Sequence, residues 1–330
     1  MTVLVTGGAG YIGSHTVWDL VDRGDEVVVL DNLATGFRWA VAPEAELIEG
    51  DVGDEALIGE IIASGNIDAI IHFAGSVVVP ESVADPLGYY LNNTVRSRAL
   101  IAAAVAGGVK RFVFSSTAAV YGMTGLDPVN ETAKPDPISP YGRSKLMTEM
   151  MLSDVAAAHD FSFVALRYFN VAGSDPRGRT GQSTKGATHL IKVAAETAVG
   201  KRPTIEVYGS DYPTADGTGV RDYIHVTDLA HAHLAALDYL AGGGDSLIAN
   251  CGYGHGYSVL DVVGAVERVS GRKLDVRTGP RRPGDPAAVV ADAALIRSRF
   301  DWAPQHDDLD FIVGTALRWE EALTHRNFNE

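Results

Sequence analysis

Between Met1 and Asp31 the chain reads MTVLVTGGAGYIGSHTVWDLVDRGDEVVVLD. The apolar run Val3-Leu4-Val5 breaks at Thr6 into Gly7-Gly8-Ala9-Gly10-Tyr11-Ile12-Gly13, which leads through an apolar helical pattern to a second apolar run, Val27 to Leu30. This order predicts strand, glycine turn, helix and strand, and the remaining chain has to be arranged around that unit. Some of these glycines allow backbone dihedrals closed to other residues, some let the chain approach a pyrophosphate, and one lets helix pack on strand. A phosphate would sit at the helix N-terminus, where free N–H groups and the dipole favour an anion. Asp31 ends the second strand, where a carboxylate accepts hydrogen bonds from ribose hydroxyls and repels a 2′-phosphate, so NAD is predicted over NADP.

Further apolar runs recur at Leu47–Ile48, Ala69–Ile71, Phe112–Phe114 and Phe163–Leu166, each separated from the next by a helix-compatible segment. With the first two they make six candidate strands before residue 170. Near-continuous apolar runs alternating with helices predict an α/β fold with a parallel sheet covered on both faces, and the crossover rule makes it right-handed and doubly wound. Ligands in such layers gather at the carboxyl ends of the strands. The polar or aromatic residues there are Thr6, Asp31, Asp51, His72 with Phe73, Ser115 to Thr117, and Tyr168 to Asn170. After about residue 171 the alternation loosens. The predicted organisation is a Rossmann-type NAD-binding domain over 1–170 and a smaller mixed α/β substrate domain over 171–330. A segment within 222–250, including a helix capped by Thr227, is able to return to the first domain.

A chain of 330 residues with 46% hydrophobic and 21% charged residues can bury a sizeable core. Its net charge of −15 argues against nucleic acid or an anionic membrane surface as partner, since both need clustered Lys and Arg. Met1 leads directly into a core strand and no apolar stretch approaches the length of a membrane span, which predicts neither secretion leader nor membrane anchor. Cys251 is the only cysteine, so no intramolecular disulfide can form and the cytoplasm is the expected compartment. No His or metal-ligand spacing accompanies it, so it is expected to be buried packing, and no metal is expected.

The fifth strand ends in Phe112-Val-Phe-Ser-Ser-Thr-Ala-Ala-Val-Tyr-Gly122, with three consecutive hydroxyls. Some twenty residues later Ser139-Pro-Tyr-Gly-Arg-Ser-Lys145 opens a helix with Tyr141 and Lys145 on one face. A tyrosine with an unperturbed pKa of about 10 is a poor base at neutral pH, and a nearby ammonium together with a nicotinamide charge favours its phenolate. Thr117 can hold a substrate oxygen while Tyr141 takes its proton and hydride leaves the same carbon.

These features, with Thr6-Gly-Gly-Ala-Gly-Tyr-Ile-Gly-Ser-His15, His72-Phe-Ala-Gly75, Leu166-Arg-Tyr-Phe-Asn170 and the run Tyr208 to His225, resemble the extended short-chain dehydrogenase/reductase family, and within it the NAD-dependent sugar epimerases. The glycine turn and the Tyr/Lys pair are common to the superfamily, whereas the stretch from Asp211 to His225 is much more specific to the epimerases. The resemblance runs almost end to end. It implies interconversion of UDP-galactose and UDP-glucose through a 4-keto intermediate, with tightly held NAD and a homodimer paired through helices near Tyr89–Ala106 and Tyr141–Ala158. It implies that Thr117, Tyr141 and Lys145 are catalytic. Gly7, Gly10, Tyr11, Ile12, Gly13, Asp31, Asn32, Asp51, Val52, Phe73, Ala74, Gly75, Asn92, Tyr141, Lys145 and Phe169 would contact NAD. Thr117, Asn170, His189, Leu190, Tyr208, Arg221, Arg282, Asp285 and Val289 would hold the UDP-sugar. Arg221 and Arg282 can fork onto pyrophosphate oxygens, and Tyr208 offers a face on which uracil can stack.

Three positions depart from the family pattern. His189 stands where an Asn often binds the diphosphate, and imidazole can still donate a hydrogen bond. Val77 replaces a lysine that in some members approaches cofactor and phosphates. Val289 stands where a bulky tyrosine narrows the sugar pocket of some epimerases, and a smaller side chain leaves room for a 2-acetamido group, so UDP-N-acetylglucosamine and its galacto epimer are expected substrates as well. The alternatives are a 4-epimerase specific for UDP-N-acetylhexosamines or UDP-uronic acids, a sugar-nucleotide 4,6-dehydratase, and a non-catalytic NAD-binding protein. A dehydratase needs an acid and a base, usually an Asp-Glu pair after the Thr, and Ala118-Ala119 follow Thr117 here. A non-catalytic protein would be free to lose Thr, Tyr or Lys, and all three are present.

Overall fold

A computed structural model describes residues 1–282 and 284–324. Strands β1 (Thr2–Thr6), β2 (Glu26–Asp31), β3 (Glu46–Glu49), β4 (Ala69–His72), β5 (Arg111–Ser115) and β6 (Ser162–Tyr168) fall where the six apolar runs predict them. They form one parallel sheet in the order β6-β5-β4-β1-β2-β3. Period-two alternation splits the sheet residues between its faces. Val3, Val5, Val29, Ile71, Val113 and Leu166 join one core cluster, and Leu4, Val28, Leu30, Ile70, Phe112, Phe114 and Phe163 join the other. Helix α1 (Tyr11–Arg23) covers the first face; α2 (Glu55–Gly65), α5 (Arg96–Ala106) and α6 (Pro140–Ala158) cover the second. The short helices α3 (Val79–Ala84) and α4 (Pro86–Tyr90) pack against α6, and a π-helical turn, Leu91–Val95, joins α4 to α5.

The structure corrects the sequence reading in three places. The connection from β2 to β3 holds only a short 3₁₀ turn, Arg38–Ala40, because Gly36 and Pro43 interrupt any longer helix. A seventh parallel strand completes the sheet: the order continues through β7 (Asn170–Ala172), β8 (Ile205–Tyr208), β9 (Val220–Arg221) and β10 (Tyr223–His225) to β11 (Leu247–Cys251), which pairs with β6. Nearly eighty residues separate β6 from β11, so no local alternation announces it. The helix that follows β10, α8 (Val226–Ala241), is capped by His225, whose Nδ1 accepts the Thr227 N–H at 3.2 Å, and Thr227 is already inside the helix. Helix α8 lies against α1 on the first face of the sheet.

The rest of the chain forms smaller units. Strands β12 (Tyr257–Ser258), β9 and β14 (Ala288–Val289) make one small sheet, β13 (Val276–Gly279) pairs with β8, and β10 pairs with β7. Helices α7 (Leu190–Ala198), α9 (Val259–Ser270) and α11 (Leu309–Leu323) pack on one another, and α10 (Ala294–Arg299) packs against β11. Strand β7 directly follows the carboxyl end of β6 and pairs with β10, which β9 directly precedes, so the small sheets start from that end of the large sheet.

Candidate active site

The glycine turn is shaped by close approach. Gly7 takes φ +73°, and a Cβ there would sit 2.6 Å from the Ala74 nitrogen at the end of β4. A Cβ on Gly13 would lie 2.2 Å from the Gly7 carbonyl oxygen, so only glycine lets the first turn of α1 rest on the loop. Gly10 caps α1 without a side-chain bond, and no acid occupies the first turn, which leaves the helix end open to a phosphate. Both Asp31 oxygens are held: one accepts the Ala9 N–H at 2.9 Å and the other the Leu33 N–H at 2.8 Å. Burial pushes the Asp31 carboxyl up, against those two bonds. Phe73, Ala74 and Gly75 stand at the end of β4, next to β1 across the point where strand order reverses, and Val52, Asn32 and Asp51 line the ends of β3 and β2. Asp51 is paired to Arg96 at 3.1 Å, and Arg96 donates to Asn92 Oδ1 at 2.7 Å, while Asn92 donates to Ser76. A cradle that Cβ atoms would fill, an uncapped helix end and an anchored acid together fit a dinucleotide.

The catalytic candidates converge on the end of β5. Tyr141 and Lys145 share the buried face of α6, whose start is fixed by Ser139 accepting the Gly142 N–H and by Pro140 at its first position. The Thr117 hydroxyl is the hydrogen-bonding neighbour of the Tyr141 phenol, and it also accepts the Ala119 N–H at 3.1 Å. Lys145 donates to the Ser115 carbonyl at 3.0 Å and lies 4.8 Å from the centre of the Phe114 ring. A Cβ on Gly75 would be 3.8 Å from its ammonium, so the β4 end and Lys145 border the same space. Burial raises the Tyr141 pKa well above its ordinary value; Thr117 partly offsets this. Burial also pulls Lys145 down to about 8, with Glu149 working the other way. His72, behind them, is held neutral by burial, its pKa near 3, between the Thr6 and Ser97 hydroxyls.

Besides Thr117, the expected substrate residues come from five separate segments: β7, the start of α7, β8, β9 and the stretch leading into β14. Arg221 bonds the Asp285 carboxylate and, at 2.7 Å, the Val220 carbonyl. Arg282 is exposed and stacks 3.8 Å over the Tyr208 ring, so one face of that ring is covered by a guanidinium. His189 is exposed at the start of α7. Leu190 begins that helix, Phe169 is buried, and the Asn170 N–H donates to the Asp222 carbonyl. Val289 is half-buried in β14 directly opposite Arg221. The structure thus brings Tyr208, Arg221, Arg282, Asp285 and Val289 to one side, and Thr117, Tyr141 and Lys145 to the sheet edge. Val77 is exposed. Among the described residues no group of three or more His, Cys, Asp or Glu side chains could hold a metal ion.

Sequence reading passed over a buried network beneath this site. Asn93, beside Asn92, accepts the Ser76 N–H at 2.7 Å and donates to Ser144 on α6. Glu149, one turn beyond Lys145, is almost fully buried and bound to Arg167 and Ser116. The signal was available in the spacing Tyr141, Lys145, Glu149, each four residues on and so on one helix face.

The pattern of the NAD dependent epimerase/dehydratase family matches residues 3–252. The chain belongs to this family. NAD is the family's cofactor, in agreement with the carboxylate at Asp31. Among its relatives, the UDP-glucose 4-epimerase of Azospirillum brasilense is 54% identical over 97% of this chain and 92% of that protein. The fold superposes on a UDP-glucose 4-epimerase from Stenotrophomonas maltophila, solved with bound NAD and formylated UDP-arabinopyranose, with a TM-score of 0.96 and 39% identity over 98% of this chain and 99% of that one. The UDP-Glc/GlcNAc 4-epimerase of Campylobacter jejuni matches with a TM-score of 0.86 and 46% identity, covering 97% and 99% of the two chains.

Proposed function

We propose that this member of the epimerase/dehydratase family interconverts UDP-galactose and UDP-glucose by inverting the sugar C4. The observation that carries this is the meeting of Thr117, Tyr141 and Lys145 at the end of β5, beside the glycine turn. Gly7, Gly10, Gly13 and Asp31 would hold NAD, which when bound supplies the site that accepts and returns the C4 hydride. Tyr141 takes the proton of the C4 hydroxyl and returns it to the same oxygen after the 4-keto sugar has turned over, so that C4 presents its opposite face for reduction. Thr117 holds that oxygen between the two transfers, and Lys145, charged and buried, favours the phenolate over the phenol. Arg221 and Arg282 would bind the diphosphate and Tyr208 and Asp285 the nucleoside, with Arg282 leaving the Tyr208 face as uracil arrives.

The half-buried Val289 supports a second substrate class, UDP-N-acetylhexosamines, since valine leaves more space in β14 than an aromatic ring would. A two-fold dimer is supported by an apolar surface on the paired helices: Leu87, Leu91, Val95, Met147 and Met150 are exposed, whereas Leu100, Ile101 and Leu152 are buried within the chain's own core. We place the cofactor domain in residues 1–170 together with the returning segment of α8 and β11, and the substrate domain in the rest of 171–330, with the work done in the cytoplasm as part of galactose metabolism. Proton NMR of the purified protein with UDP-galactose and no added cofactor should show UDP-glucose accumulating. No conversion, even with added NAD⁺, would overturn the assignment.

A further inference from the structure

The charge that neighbours Lys145 is Glu149, and nothing in the proton transfer assigned to Tyr141 uses it. It lies one turn further along the buried face of α6, and all its oxygen atoms are engaged. Arg167 forks onto it from β6, with Nε to Oε1 at 3.0 Å and Nη2 to Oε2 at 2.6 Å. Ser116 donates to Oε1 at 2.5 Å. Arg167 itself lies 4.9 Å over the Tyr121 ring, whose hydroxyl donates to Asn250 on β11 at 2.7 Å.

Two features set this pair apart from packing. Ser116 stands between Ser115, whose carbonyl takes the Lys145 ammonium, and Thr117, which faces the Tyr141 phenol. The carboxylate thus ties down the segment that positions both catalytic partners. Burying an ion pair is costly, and apolar residues of similar volume often serve stability as well, so the pair calls for a role other than stability. The groups around this corner are Tyr141 and Glu149 on α6, His72 on β4, Arg167 and Tyr168 on β6, and Tyr89 on α4. Among them Glu149 is the only acid. His72 is held neutral, and Arg167 has its charge directed at Glu149.

We propose that Glu149 is a positioning residue for the epimerase chemistry: through Ser116 it fixes the β5 end, and through its charge it keeps Lys145 protonated in the pH range where Tyr141 must act as phenolate. The inference rests on the assignment of Tyr141 and Lys145 above. Burial pulls Lys145 to about 8, close enough to neutrality that losing an opposing negative charge matters. Arg167 offsets part of the carboxylate's charge from the strand side, and what remains acts on Lys145 one helical turn away.

The test reads the Lys145 ammonium directly in the NAD-loaded enzyme. With ¹³C-lysine labelling, the Lys145 Cε resonance is identified by its loss in Lys145→Met and titrated alongside the pH profile of kcat. Glu149→Gln should lower the Lys145 midpoint by about one pH unit or more and move the alkaline limb of kcat by the same amount, with KM little changed. Glu149→Asp, which keeps the charge, should recover most of the midpoint. Because Glu149→Gln strands a buried guanidinium, the double variant Glu149→Gln/Arg167→Gln serves as the folded control and should show a smaller shift in the same downward direction. An unmoved Lys145 midpoint in a folded variant, or equal loss of kcat at all pH values in Gln and Asp variants, would overturn the proposal. Wild-type protein without UDP-galactose turnover would instead refute the functional assignment and leave the titration result standing.

Discussion

The cofactor side and the substrate side of this molecule are built on different principles. On the cofactor side, one seven-stranded parallel sheet places Gly7, Asp31, Gly75 and Thr117 at successive strand ends, each within a few residues of an apolar run that is buried on both faces. On the substrate side, Tyr208, Arg221, Arg282 and Asp285 sit on strands of two to four residues and on loops, held by an ion pair, a ring stack and short β contacts. A continuous sheet fixes its ends through many shared hydrogen bonds and core contacts, so displacing one position strains the layer. Loops held by a few charged contacts can rearrange around a ligand at smaller cost. The first region therefore suits the reacting atoms, and the second suits capture of a nucleotide diphosphate.

Substitutions that break this contrast should rank accordingly. Tyr141→Phe should lower kcat by roughly 10²–10⁴-fold with NAD still bound, since it removes the acid–base group and leaves the turn intact; steady-state turnover of UDP-galactose checks it. Gly13→Ala places a methyl 2.2 Å from the Gly7 oxygen, and should abolish NAD retention, measured by absorbance of the released cofactor after denaturation. On the other side, Arg282→Ala should raise KM about 10- to 100-fold, the loss of a charge-assisted contact, with kcat largely kept. A collapse of kcat there would mean that the loops are as rigid as the sheet. Val289→Tyr should lower turnover of UDP-N-acetylglucosamine relative to UDP-glucose by about tenfold or more, read from paired NMR assays.

The smallest effect concerns the seam between the regions. Asp19 on α1 faces Asp22 on the same helix, Asp175, Arg177 and Arg179 from the neighbouring loop and His231 of α8 at 3.5 Å, and burial raises its pKa to about 7. A carboxyl raised in this way binds its proton more tightly folded than unfolded. Stability therefore falls as pH rises from about 4, where the unfolded group ionises, to about 7, and stays lower above it. Asp19→Asn removes this dependence, so its melting temperature should exceed wild type by a few degrees at pH 8 and converge with it near pH 4. Equal melting differences across that range would show that Asp19 ionises freely in the fold.

Much of the cofactor side was legible from residues alone. The Gly7 to Gly13 motif, Asp31 and the Tyr141/Lys145 spacing are patterns written in residues close in the chain, and a strand buried on both faces must be apolar throughout. The substrate side was legible only as a resemblance, because Tyr208, Arg221 and Arg282 are ordinary surface residues until distant segments bring them together. The same limit explains β11, the His225 cap of α8, the short 3₁₀ link after β2 and the Glu149–Arg167 pair.

By itself, then, the amino-acid order determined a parallel α/β layer, a dinucleotide turn that prefers NAD and the spacing that sets Tyr141 and Lys145 on one helix face. Tertiary structure alone decided which strand closes the sheet, which loops meet over its edge and which buried carboxylate stands behind Lys145. The reason is that helices, strands and turns are selected by contacts within a few residues, whereas a seventh strand or a buried ion pair forms only after loop closure has brought segments tens of residues apart into one core.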